Sequence, residues 1–161
     1  MLNFLTGRAD KPSHSAYAVV TGAGSGIGRS FSLELARRQG VVVCADINLA
    51  AAQETVALIE QAGGRAYAVS CDVGEAEAVR ALADNAEQLL GHAVTLLINN
   101  AGVGLGGKFH EQSLDDWKWC MHVNLWGVIH GCHYFVPGFK RNGRGAIINV
   151  ASAASYTAAP E

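Results

Sequence analysis

The chain has 161 residues, 50% of them hydrophobic and 16% charged, with a formal net charge of −2. That length suits one domain with a real core, and the near-neutral charge leaves no electrostatic footprint for nucleic acid or an anionic membrane. The first five residues are too short for a signal h-region, Arg8, Asp10 and Lys11 follow at once, and no stretch approaches the roughly 18 apolar residues of a membrane span. A soluble, cytoplasmic protein is expected. Cys44, Cys71, Cys120 and Cys132 sit far apart with no C-x-x-C pair, which predicts structural thiols in a reducing compartment.

After a polar leader over residues 1–15, short apolar runs alternate with longer stretches of helical periodicity. A first strand is predicted over 16–21, followed by a glycine turn and a helix over 27–39 that stops at Gly40. A second strand, 41–46, leads through the N-cap Asn48 into a helix over 49–62, closed by Gly63. A third strand, 66–71, precedes a helix over 75–90, and a fourth strand covers 94–98. The fourth helix, 114–139, opens on Ser113 with Asp116 three residues on, a capping-box pattern, and Pro137 is expected to end or kink it. A fifth strand is predicted over 146–150. The strands are apolar throughout, as strands buried on both faces are. Five such alternations predict an α/β fold, a doubly wound parallel sheet of the Rossmann type, here running as far as a fifth strand. Such sheets bind ligands beyond the carboxyl ends of their strands, where strand order reverses.

The residues that follow each strand therefore carry the functional reading. The first strand runs into Thr21-Gly22-Ala23-Gly24-Ser25-Gly26-Ile27-Gly28 and then a helix, an arrangement whose outward amides and helix dipole favour phosphate. The spacing G-x-G-x-x-G fails, because it needs glycine at Ile27 or Arg29, and a P-loop fails for want of its lysine. What remains is T-G-x-x-x-G-x-G. Asp46 ends the second strand 18 residues after Gly28, where a carboxylate can accept from adenosine ribose hydroxyls and repel a 2′-phosphate, or simply serve as a helix N-terminal acid beside Asn48. Asp72-Val73 follows the third strand, Asn99-Asn100-Ala101-Gly102 the fourth, and Ser152 the fifth, while Asn124 lies inside the fourth helix.

On these residues, in this order and spacing over 16–161, the chain resembles the short-chain dehydrogenase/reductase family. The resemblance implies hydride transfer between the C4 position of a nicotinamide and a small-molecule alcohol or carbonyl. It implies cofactor contacts at Gly22, Ser25, Gly26, Ile27, Gly28, Asp46, Ile47, Asp72, Val73, Asn99, Ala101 and Gly102. Family members that use NADP tend to carry a basic residue just before the motif's second glycine or just after the acid. Ser25 and Ile47 stand there, so NAD is implied. Asp72 and Val73 are expected to hold the adenine, although Asp72 can also cap the next helix. Asn99 is expected to tie the strand ends together, with Ala101 and Gly102 leaving room for the cofactor.

Two catalytic positions are implied. Asn124 would hold a water in the proton relay, helped by a local helix irregularity, or else bond neighbouring backbone. Ser152 would bind the substrate oxygen. The family's Y-x-x-x-K pair falls beyond Glu161 in this spacing; Tyr156 lies too close to Ser152 and has Pro160 four residues on. The chain alone is therefore expected to show no turnover. A non-catalytic NAD-binding module and a fragment without a function of its own are the alternatives. His122, His130 and His133 form no H-E-x-x-H arrangement, so no metal is expected. Trp117, Trp119, Trp126, Tyr134 and Phe135 read as core or subunit-contact aromatics. An apolar fifth strand left with an unpaired edge, and a fourth helix with Trp119, Val123 and Trp126 on its apolar face, predict a homo-oligomer.

Overall fold

A computed structural model describes residues 11–153. All five predicted strands form: β1 (Tyr17–Thr21), β2 (Val41–Asp46), β3 (Arg65–Ser70), β4 (Leu96–Asn99) and β5 (Ala146–Asn149). They are parallel neighbours in the order β3-β2-β1-β4-β5. Helices α1 (Gly26–Arg37), α2 (Leu49–Gln61) and α3 (Ala76–Leu90) connect the first four strands. The predicted fourth helix is present in three successive pieces, α4 (Leu114–Met121), a π turn (His122–Trp126) and α5 (Gly127–Arg141), preceded by a 3-10 turn at Phe109–Glu111.

Alternation along the apolar strands divides the core into two layers. Val19, Val43 and Leu97 stand side by side in register and pack with Val79, Leu82, Leu90 and Phe135 of α3 and α5. Their neighbours Val20, Cys44 and Ile98 point the other way, toward Leu35, Ala52 and Ile59 of α1 and α2. The sheet is thus covered on both faces, which is why its strands read as unbroken apolar runs. Outermost is β5, half-buried at its start and exposed at Ile148 and Asn149. Among the described residues no helix is long and apolar enough to cross a membrane.

Helix ends follow local chemistry with three exceptions. Asn48 accepts from the Ala51 amide, and Ser113 and Asp116 form the reciprocal box. Gly63 is left-handed (φ 80°) and closes α2. At the end of α1, however, the left-handed residue is Gln39 (φ 65°), not Gly40. Gly40 is needed for space, since a Cβ there would lie 2.9 Å from the carbonyl oxygens of Ala16 and Leu35. Asp72 does not cap α3; its Oδ1 accepts from the Gly74 amide at 2.9 Å, and Glu75 occupies the N-cap without a side-chain bond. Pro137 does not end the helix either, because α5 continues to Arg141. Phe135 and Phe139 flank it and are 4% and 9% exposed. Burying two such rings, at about 1.5–3 kcal/mol each, offsets the roughly 3 kcal/mol of an internal proline.

The polar leader is described from Lys11 onward and docks on the end of α1, where Ser15 N–H donates to the Arg38 carbonyl at 2.9 Å. Cys44 and Cys71 are buried thiols, and burial pushes both up to about 11, so they are protonated and inert near neutral pH.

Candidate functional site

Strand order reverses at β1, whose neighbours are β2 on one side and β4 on the other. The chain leaves β1 and β4 toward opposite flanks, and a crevice of about 490 Å³ opens above their carboxyl ends. One wall is the glycine turn: Gly22, Ser25, Gly26, Ile27 and Gly28 all line it. Helix α1 begins there with no side-chain cap at Ser25 and no acid in its first turn, whereas α2 and α4 are both capped. Its first amides are therefore left facing the crevice, a partial positive charge suited to an anion. At Gly26 (φ 52°) an added Cβ would meet nothing within 4 Å, so the turn borders open space.

Thr21 and Asn100 set the spacing between the two loops. The Thr21 hydroxyl accepts from the Asn100 amide at 3.0 Å and the Ala101 amide at 3.1 Å. Asn100 returns its side-chain Nδ2 to the Thr21 carbonyl at 2.9 Å and the Gly22 carbonyl at 3.3 Å. Gly28 packs so closely under this turn that a Cβ would run into the Gly22 carbonyl oxygen and lie 2.6 Å from Asn100 Nδ2.

A second wall is Asp46 with the exposed Ile47. Asp46 Oδ2 accepts from the Gly24 amide at 2.8 Å and Oδ1 from the Asn48 amide at 2.9 Å. These bonds hold the carboxylate at the crevice with lone pairs to spare. Arg29 is the cation that reaches this turn, and its guanidinium is engaged by the Gly24 carbonyl, Thr55 Oγ1 at 3.0 Å and Glu54 at 3.1 Å. Among the described residues, the crevice lining holds no lysine or arginine.

Asp72 and Val73 form a third wall, with Ala101 and Gly102 on the side of β4. Eleven of the twelve expected cofactor positions thus meet in one cavity. Asn99 is elsewhere. It is 4% exposed, its Nδ2 donates to Asn149 Oδ1 at 2.9 Å, and it packs on Gly131 of α5, where a Cβ would strike its Oδ1. It ties β4 to β5 beneath the crevice, as the strand-end reading expects. Asn124 sits in the π turn, so the expected helix irregularity is present. Its amide pins the loop after β4, accepting from Val103 N–H at 2.9 Å and donating to the Val103 carbonyl at 2.8 Å. Ser152 is exposed beyond the end of β5 and is not part of the crevice lining. Tyr156 and Pro160 lie outside the described residues.

Cys71, Asn100, Val103, Trp119, His122 and Val123 line the crevice without having been expected there. Only Asn100 carried a usable signal, as the second asparagine of a motif whose first one was chosen. Cys71 directly follows β3, and the others arrive from the fourth helix and its approach, which no local pattern places above β4. Among the described residues no group of three or more His, Cys, Asp or Glu side chains is placed to hold a metal ion.

Comparison with known proteins gives the family and the fold. The short chain dehydrogenase family model matches residues 16–161. The chain is 43% identical over 138 residues to cyclohexanol dehydrogenase of Acinetobacter sp. (strain SE19), covering 85% of this chain and 55% of that protein. It is 41% identical over 138 residues to the probable oxidoreductase EphD of Mycobacterium tuberculosis (strain ATCC 25618 / H37Rv), covering 85% of this chain and 23% of that one. A short chain dehydrogenase/reductase from Burkholderia phymatum, solved in complex with NAD, superimposes with a TM-score of 0.87 at 40% identity, over 93% of this chain and 53% of its own. The chain spans about half the length of the cyclohexanol dehydrogenase and less than a quarter of EphD.

Proposed function

The chain belongs to the short-chain dehydrogenase family, and on that premise we propose that it binds NAD(H) in the crevice and serves hydride transfer with an alcohol or carbonyl substrate. Asp46 carries the cofactor reading, because it fronts the crevice beside Ile47 and, among the described residues, no lysine or arginine lines that cavity. An NAD complex among its structural neighbours and an alcohol dehydrogenase among its relatives support it. When bound, the nicotinamide supplies the hydride chemistry at its C4. The residues present fit such a dinucleotide. The uncapped amides of α1 and the open space at Gly26 suit a pyrophosphate. Asp46 can accept from ribose hydroxyls, and Asp72 and Val73 would hold the adenine. Asn124 and Ser152 are assigned to the substrate end, Ser152 to bind the reacting oxygen and Asn124 to order the proton path. Four separate free cysteines suit a reducing compartment.

NADH is expected to bind about 5- to 150-fold more tightly than NADPH, since an added phosphate would meet Asp46 uncompensated at a cost of about 1–3 kcal/mol. Asp46→Ala should narrow that gap, chiefly by improving NADPH. Titration by fluorescence decides it: equal or tighter NADPH binding by wild type rejects the reading.

We further assign self-association to the helix that contains the π turn. Trp119, Met121, Leu125, Trp126 and Ile129 are each between 42% and 50% exposed along it, a larger apolar surface than a solvated helix carries. Sedimentation should show dimers or larger species at micromolar concentration, and Trp126→Glu should shift them toward monomer. Monomer alone in the wild type removes this assignment.

A further inference from the structure

Two of the loops that wall the crevice, those after β3 and β4, are held by the one helix that contains the π turn. Asn124 grips Val103 on the β4 side. On the β3 side the same helix meets Val73, Gly74 and Glu75 through three residues. The His122 ring lies against Gly74, and its Nε2 is 3.3 Å from Glu75 Oε1. Gly127 lies against Val73, where a Cβ would come 2.7 Å from Cγ2. His130 Nδ1 is 2.9 Å from the Val73 carbonyl oxygen. In an unbroken α-helix, positions 122 and 127 would face about 140° apart. Here the Gly127 amide donates to the His122 carbonyl, so the turn holds one extra residue and the two positions fall nearly one above the other, with 130 following on the same face.

We propose that His130 is a positioning residue for the nucleotide site, holding the Asp72–Val73 wall in place through its bond to the Val73 carbonyl. The proposal rests on the cofactor reading above and extends it to a side chain outside the crevice lining. A carbonyl oxygen can only accept, so Nδ1 must carry the proton, and the neutral ring is held as the Nδ1–H tautomer. The fastened backbone is that of Val73 itself, 7% exposed, next to Asp72, whose carboxylate is turned by the Gly74 amide. Releasing Val73 should loosen the adenine end of the site and leave the nicotinamide end untouched.

The test measures dissociation constants of the purified protein for NADH, ADP-ribose and reduced nicotinamide mononucleotide, beside the tautomer of His130 by long-range nitrogen NMR. His130→Leu should weaken NADH and ADP-ribose by the same factor, about three- to tenfold, the range of one lost neutral hydrogen bond, with the mononucleotide unchanged. His130→Asn, whose Nδ2 replaces the Nδ1 donor, should restore binding to within about twofold. ADP-ribose binding by the Leu variant equal to wild type, an Asn variant as weak as the Leu one, or a mononucleotide weakened equally each overturns the positioning role while the cofactor reading stands. If the Leu variant does not fold, the wild-type spectrum decides: an Nε2–H tautomer at a pH where the ring is neutral overturns it. Wild type that binds neither NADH nor ADP-ribose rejects the cofactor reading itself.

Discussion

Gly28→Ala is expected to lower the unfolding free energy by about 3 kcal/mol, the upper range of an overpacked site, and to abolish detectable ADP-ribose binding. The reason is contact, not backbone freedom. A Cβ at this position would run into the Gly22 carbonyl oxygen and lie 2.6 Å from Asn100 Nδ2, both parts of the hydrogen-bonded link between the loops after β1 and β4. Neither neighbour is the free end of a flexible chain, so α1 itself must move, and its amides leave the crevice with it. Gly26→Ala provides the contrast. It adds a left-handed strain of about 1–2 kcal/mol but meets no atom within 4 Å, so it should weaken binding with a smaller loss of stability. Urea unfolding and ADP-ribose titration of both variants separate the two effects. A Gly28→Ala protein as stable as wild type, still binding ADP-ribose, would show that α1 does not rest on this turn.

Thr21→Val should be nearly as damaging although it preserves shape. Thr21 is 4% exposed, and its hydroxyl serves the Asn100 and Ala101 amides together. Replacing the hydroxyl by a methyl leaves two backbone donors without their partner where the strand order reverses, at about 1–3 kcal/mol for each group. A total loss of about 2–6 kcal/mol follows, with weaker nucleotide binding because Ala101 and Gly102 are no longer held against the glycine turn. Thr21→Ser keeps the donor and acceptor and should fall within about 1 kcal/mol of wild type. A valine variant indistinguishable from the serine one in urea unfolding would mean that these amides find other partners.

Most of the fold was legible because its signals are local. Each strand announced itself as a short apolar run, since burial on both faces leaves no polar alternation to hide it. The cap residues Asn48, Ser113 and Asp116 act on amides three residues away or fewer, so their roles follow from spacing alone. The errors also have local causes. Gly40 reads from the sequence as the helix-terminal glycine, but Gln39 takes the left-handed turn and Gly40 makes room for the carbonyls of Leu35 and of Ala16, the latter 24 residues distant in the chain. Of the two outcomes expected at Pro137, an end or a kink, the end does not occur, since Phe135 and Phe139 hold the helix in place by burial as far as Arg141.

By itself the sequence determined the alternation of strands and helices, the glycine turn, the acid after β2 and the family resemblance, each of them read from motifs that are short and local along the chain. Only the tertiary structure decided that Asn99 lies beneath the crevice while Asn100 lines it, because adjacent residues on a strand point to opposite sides and the partner of Asn99 is 50 residues away. Likewise, only the assembled molecule shows Asn124 gripping Val103, and His122, Gly127 and His130 on one face against the loop after β3. That face exists because one extra residue in the π turn rotates the rest of the helix. Spacing rules built on 3.6 residues per turn put 122 about 140° away from 127.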